Sequence, residues 1–101
     1  MIQTNAKPFA AGDILTSEFM EPINITQGQL ADAMGVSRRL VNEICNNKRG
    51  ITADTALILS VVFDTSVEFW LNLQRQTDLW DAYNDPERRQ RIDKARKISV
   101  S

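Results

Sequence analysis

Between Thr26 and Ile44 the chain reads TQGQLADAMGVSRRLVNEI, and its small and apolar residues fall where two short helices, joined by a tight turn and steeply crossed, must touch. Counted from Gln27, the shared face takes Leu30, Met34, Val36, Val41 and Ile44, Ala31 stands at the closest approach, and Gly35 occupies the turn. Glycine adopts a left-handed backbone without steric cost, so Gly35 can end the first helix and aim the second. One such match would carry little. All seven at fixed offsets, bounded by Thr26 and Ser37 as caps, define a helix-turn-helix and make double-stranded DNA the leading ligand.

The rest of the chain reads as all-α, with no sustained two-residue alternation of the kind a strand needs. Its 101 residues, 43% apolar and 25% charged, supply one modest core and too little for two domains. Residues 1–8 are expected as a flexible arm, 9–84 as the helix-turn-helix domain, and 85–101 as a basic C-terminal helix and tail. A first helix is predicted from about Gly12 to Met20, with Leu15 and Phe19 on one face and Pro22 enforcing its end. Thr26 with Gln29 predicts a capping box for the second helix, and Ser37 a cap for the third, which runs to about Asn46. Asn47 then takes a left-handed cap where glycine is more usual. Thr52 opens a fourth helix whose Ala53, Ala56, Leu57, Ser60 and Val61 are expected to form a small-sided buried face. Thr65 and Glu68 predict a second capping box ahead of a fifth helix, and Asp85 followed by Pro86 caps a sixth. Gly28, in the first turn of the second helix, reads only as a cost of up to about 1 kcal/mol.

At about 100° per residue, Val41 and Ile44 mark the buried side of the third helix and Arg38, Arg39, Asn42, Glu43 and Asn46 lie opposite. These five are the candidate base readers: arginine can pair with guanine O6 and N7, asparagine with adenine N6 and N7, and glutamate can accept from cytosine N4. Gln27, Ser37, Asn47, Lys48 and Arg49 flank the reader and are candidates for phosphate contacts that orient without reading. Arg39 and Glu43, four apart, equally suit a surface ion pair.

A formal net charge of −1 at first argues against a nucleic-acid partner, but its distribution argues the other way. Arg38, Arg39, Lys48 and Arg49 against Glu43 place +3 on the third helix and its exit, whereas Asp54 to Asp85 holds six acids and only Arg75. Arg88, Arg89, Arg91, Lys94, Arg96 and Lys97 form a second basic block, which suits a solvated helix face, a phosphate-contacting element or a partner-binding segment. Catalysis finds little material: there is no histidine, and Cys45, the single cysteine, reads as a small core residue. No glycine-rich phosphate loop or zinc-type cysteine spacing occurs. No enzyme, cofactor or metal is therefore expected. A lone cysteine implies no internal disulfide, and the longest apolar run, residues 56–63, is far too short to span a bilayer. A cytoplasmic protein without membrane contact is expected.

Most of the chain, from about Pro8 to Tyr83, resembles the HigA-type (VapI-like) antitoxins of the Xre or Cro-repressor helix-turn-helix family. The most specific stretches are KRGITADTAL, Lys48 to Leu57, and the segment from Ser66 to Gln74; ILTSEFMEPINIT, Ile14 to Thr26, also follows the family's first helix. Phe9 to Asp13 replaces a His-Pro-Gly-Glu opening, Asn47 a usual glycine and Val67 a usual proline. None of these departures touches the reading face. The resemblance implies a lambda-repressor-like five-helix domain carrying an additional C-terminal helix. It further implies a homodimer that represses its own operon at a palindromic operator and neutralises a HigB-type, mRNA-cleaving toxin. Phe69, Trp70, Leu73, Trp80 and Tyr83 on the fifth helix offer more large apolar surface than a small core requires, and are expected to divide between closing that core and forming the dimer interface. The alternatives are a standalone Xre-family repressor, and an interaction module that keeps the fold without binding DNA.

Overall fold

Residues 6–99 are described by the computed structural model; residues 1–5 of the expected arm and 100–101 of the tail lie outside the described residues. Helix α1 (Ala11–Ile14) runs directly into a π-helical segment (Leu15–Met20), followed by α2 (Gln27–Met34), α3 (Arg38–Cys45), α4 (Ala53–Phe63), α5 (Val67–Asn84) and α6 (Pro86–Lys94). No strand occurs among the described residues, as expected of an all-α chain.

The first helical stretch departs from a plain α-helix for a reason visible in its buried row. Ala11, Leu15 and Met20 are all buried, at spacings of four and then five. An α-helix cannot keep a five-residue step on one face, whereas a π-turn can. The Glu21 N–H accordingly bonds the Thr16 carbonyl five residues back, at 3.0 Å. Phe19 is thereby turned sideways onto Phe63 and Trp70, with ring centroids 5.0 and 4.8 Å away.

Local signals set most of the boundaries. Thr26 Oγ1 accepts from the Gln29 N–H at 3.1 Å and Gln29 Oε1 accepts from the Thr26 N–H at 2.8 Å, closing the capping box. Gly35 ends α2 at φ 70°, and Ser37 Oγ accepts from the Leu40 N–H to start α3. Asn47 holds φ 58° in the exit turn of α3, and the Asp85 carboxylate caps α6 ahead of Pro86. The structure corrects two expectations. The cap of α5 is Ser66, which accepts from the Phe69 N–H, because Thr65 Oγ1 is taken by the Trp70 indole N–H at 2.7 Å. Trp70 is completely buried, so its N–H needs an acceptor more than the helix needs a second cap. On α4, Thr55, Ala56 and Leu59 are buried with Val62 and Phe63 packed beside them, while Ala53, Leu57 and Val61 face out. With every residue from Ala56 to Phe63 apolar except Ser60, periodicity alone could not choose the face.

The core joins Leu30, Ala31 and Met34 of α2 to Val41 and Ile44 of α3, with Leu15, Leu59 and Trp70 closing behind them; Val36 is partly buried. Thus α2 and α1 both pack against α3, and α4 and α5 lie against each other. The outer side of α3 is left uncovered.

Candidate nucleic-acid interface

Val41 and Ile44 are the two fully buried residues of α3, and they anchor the helix so that its opposite side faces solvent. Arg38, Arg39 and Asn42 are exposed there, beside the first turn of α2. Together with Thr26, Gln27 and Gly28 they line an open notch. Gln27 and Asn42 are joined across it, Asn42 Nδ2 donating to Gln27 Oε1 at 3.1 Å. The bond couples a candidate reader to a candidate phosphate contact, so neither is positioned alone.

Gly28 is the residue the sequence undervalued. It is buried, and a Cβ built on it would overlap the guanidinium of Arg38. Its bare backbone therefore provides the seat on which Arg38 lies, at the head of α2. The signal was present as a glycine in a helical first turn, but nothing local tied it to a residue ten positions away.

The remaining candidates are used in several ways. Each carboxylate oxygen of Glu43, expected to accept from a base, is taken by a guanidinium: Arg39 Nε lies 3.2 Å from one and Arg49 Nε 2.9 Å from the other. These arginines, Arg49 foremost, hold the Glu43 carboxyl below the ordinary glutamate range. Asn46 folds back onto its own helix, Nδ2 donating to the Asn42 carbonyl at 2.9 Å. Asn47 is a clasp rather than a free polar tip. Its Oδ1 accepts from the Gly12 N–H at 3.1 Å and its Nδ2 donates to Asp13 at 2.9 Å, fastening the exit of α3 to α1. Ser37 Oγ is engaged as the cap of α3. Lys48 is exposed on the loop that also carries Arg49. Cys45 is half-buried with Sγ 3.7 Å from Met20 Sδ, and burial pushes its thiol pKa up, as suits a packing residue.

The proposed aromatic interface on α5 is largely consumed within the protomer. Trp70 is corrected to a core residue, since it has no accessible surface to give a partner. Phe69 packs edge-on against Trp70 with ring centroids 5.0 Å apart, and Leu73 packs against the core. Lys7 sits over Trp80 and pairs with Asp81, and Arg89 of α6 stacks on Tyr83 at 3.8 Å. The larger uncovered apolar surface lies instead on α4, where Leu57 and Val61 are 53% and 82% exposed. They line a groove with Ala33, Met34, Ile58 and Val62. None of the helices is long and apolar enough to cross a membrane among the described residues.

Comparison with known proteins agrees with this geometry. The Helix-turn-helix family model matches residues 17–70. Antitoxin HigA-1 of Vibrio cholerae is 42% identical over 84 residues, covering 83% of this chain and 79% of its own length. An uncharacterised HTH-type transcriptional regulator of Escherichia coli K12, YbaQ, is 44% identical over 85 residues, covering 84% of this chain and 75% of its own. A Pseudomonas aeruginosa protein solved in complex with its 18-base-pair operator DNA superposes with a TM-score of 0.81 at 37% identity, over 91% of this chain and 97% of that one.

Proposed function

This chain belongs to the helix-turn-helix family and, within it, to the HigA-type antitoxins, and from that premise we propose that it binds the operator of its own operon as a homodimer, represses it, and neutralises a HigB-type, mRNA-cleaving toxin. The observation that carries the DNA-binding part is the open row of Arg38, Arg39 and Asn42, backed by the buried Val41 and Ile44 and joined through Asn42 to Gln27. A helix held in this way can enter a major groove with its donors foremost. An interaction-only module would have no use for donors presented outward beside a notch.

The length of a relative's operator duplex supports two copies. A single recognition helix brings a few side chains to base edges, whereas the Pseudomonas relative was solved with an operator duplex of 18 base pairs, more than one turn of about 10 base pairs. The two-fold contact fits α4. No charged residue occurs from Thr55 to Phe63, so its exposed Leu57 and Val61 form a face that a second copy matches with the same apolar surface. A standalone repressor is the second reading, supported by the E. coli relative's description as a transcriptional regulator.

The test is a titration of the purified full chain against the duplex upstream of its own gene and against a random duplex of equal length. Preference for the upstream duplex is expected, with a log–log salt slope of roughly −6 to −9 for a dimer that neutralises six to ten phosphates. Equal and salt-insensitive affinity for both would contradict DNA reading. Co-expression with the product of any small neighbouring gene tests the antitoxin half: a stable complex that relieves growth arrest is expected, and its absence favours the standalone repressor.

A further inference from the structure

Glu43 is the one acid on the outer face of α3, and its position is at odds with simple affinity for DNA. A carboxylate at a phosphate-facing surface repels every duplex, specific or not. Its side chain is also held in: it is 22% exposed, while those of Arg39 and Arg49, bonded to its two oxygens, are 86% and 53% exposed. The main chain strengthens the arrangement, since the Lys48 N–H bonds the Glu43 carbonyl at 2.8 Å and so ties the loop bearing Arg49 to the same residue. Glu43 thus sits at the junction of the reading helix and its exit loop, with one guanidinium from each.

The chemistry of this junction is directional. Each arginine meets Glu43 through Nε, which leaves the terminal nitrogens available, and these can make a two-pronged contact with a guanine edge or a phosphate. An unrestrained arginine carries rotamer entropy that ordering on DNA must overcome. Holding it beforehand removes part of that cost for one geometry only. From these contacts we infer that Glu43 is a specificity-determining positioning residue. It aligns Arg39 and Arg49 as a pair at the groove-facing edge, lowering affinity for duplex DNA in general while raising selectivity for the operator, and this rests on the DNA-reading function proposed above.

The full chain and its variants are titrated by fluorescence anisotropy against the upstream duplex and the random duplex. Glu43→Gln preserves size and removes the charge. It is expected to bind random duplex about threefold more tightly, because repulsion is lost, and the upstream duplex about tenfold more weakly. Glu43→Asp keeps the charge but withdraws it by one methylene, so random-duplex affinity should stay native while selectivity falls. Adding Glu43→Gln to the double variant Arg39→Ala/Arg49→Ala should leave upstream-duplex binding no worse than that of the double variant alone, to within about twofold, because coupled groups are not additive. Losses that multiply would overturn the inference, as would relaxation by Glu43→Gln at a base pair that Arg39→Ala and Arg49→Ala both leave intact, since Glu43 would then read a base itself. A native preference untouched by both Glu43 variants sinks this inference alone, whereas a native chain with no preference sinks it together with the function on which it rests.

Discussion

Gly28 and Arg38 form a contact in which the missing side chain of one makes room for the charged end of the other. Substitution there should separate stability from function. Gly28→Ala replaces a poor helix former and displaces only a flexible guanidinium, so thermal denaturation should show stability unchanged or raised by up to about 1 kcal/mol. Operator affinity should nevertheless fall by about tenfold as Arg38 loses its seat. A variant that binds the operator like the native chain would show that Arg38 acts from elsewhere. Glu43 supplies a test by pH. A carboxyl whose folded pKa is depressed contributes its full stability above its unfolded value and loses it progressively as pH falls from there through the lower, folded value. The chain has no histidine, so operator binding should stay level from about pH 8 to about pH 5 and change only in more acid solution. An anisotropy transition near about pH 6.5 would point to a group outside this site. At this scale the sequence placed the outward row correctly, because a helix buries what lies opposite its exposed side. It could not show that Glu43 is occupied by two arginines, since Arg49 reaches it from a loop whose path depends on the clasp at Asn47.

Helix α3 is held at both ends by different means, a serine cap at its start and a left-handed asparagine after its end. Asn47 performs two tasks that are usually separate. It takes φ 58° and uses both atoms of its amide to bind Gly12 and Asp13 of α1. Asn47→Gly should keep the backbone and lose the two bonds, costing about 1–2 kcal/mol, whereas Asn47→Ala loses both and should cost about 2–4 kcal/mol. Chemical denaturation of the two variants checks the order. Equal losses would mean that backbone strain contributes nothing. Element boundaries were legible wherever a cap lies within four residues of its partner, as at Thr26, Ser37, Thr52 and Asp85. The error at Thr65 arose because a distant requirement, the buried Trp70 indole, claimed the hydroxyl first.

The protomer as a whole is electrically divided. Residues 86–99 carry six basic side chains and two acids, a charge of +4, so with −1 for the chain the other residues sum to −5. Helix α6 buries nothing and touches the body through Arg89 on Tyr83. In the homodimer proposed above, assembly falls to the body, and the apolar face of α4 is where it should fail. Val61→Glu changes a side chain that is 82% exposed, so the fold should survive with a native far-ultraviolet spectrum. Sedimentation should show loss of the dimer, and operator affinity should fall by about 100-fold or more as linked half-site binding is lost. A variant that remains dimeric would move the two-fold axis away from α4. The aromatic residues of α5 misled the sequence reading because size signals burial without saying against what. Trp70 buries against its own chain.

Two short helices, the turn between them and the outward residues of the second were determined by linear order. Their spacing obeys the 3.6-residue period, and each cap lies within one turn of what it caps. Tertiary structure alone decided which side of α4 is covered, what occupies the Glu43 carboxylate and why residue 28 has no side chain. Each of these depends on groups that meet only after distant segments pack, and no local periodicity records such a meeting.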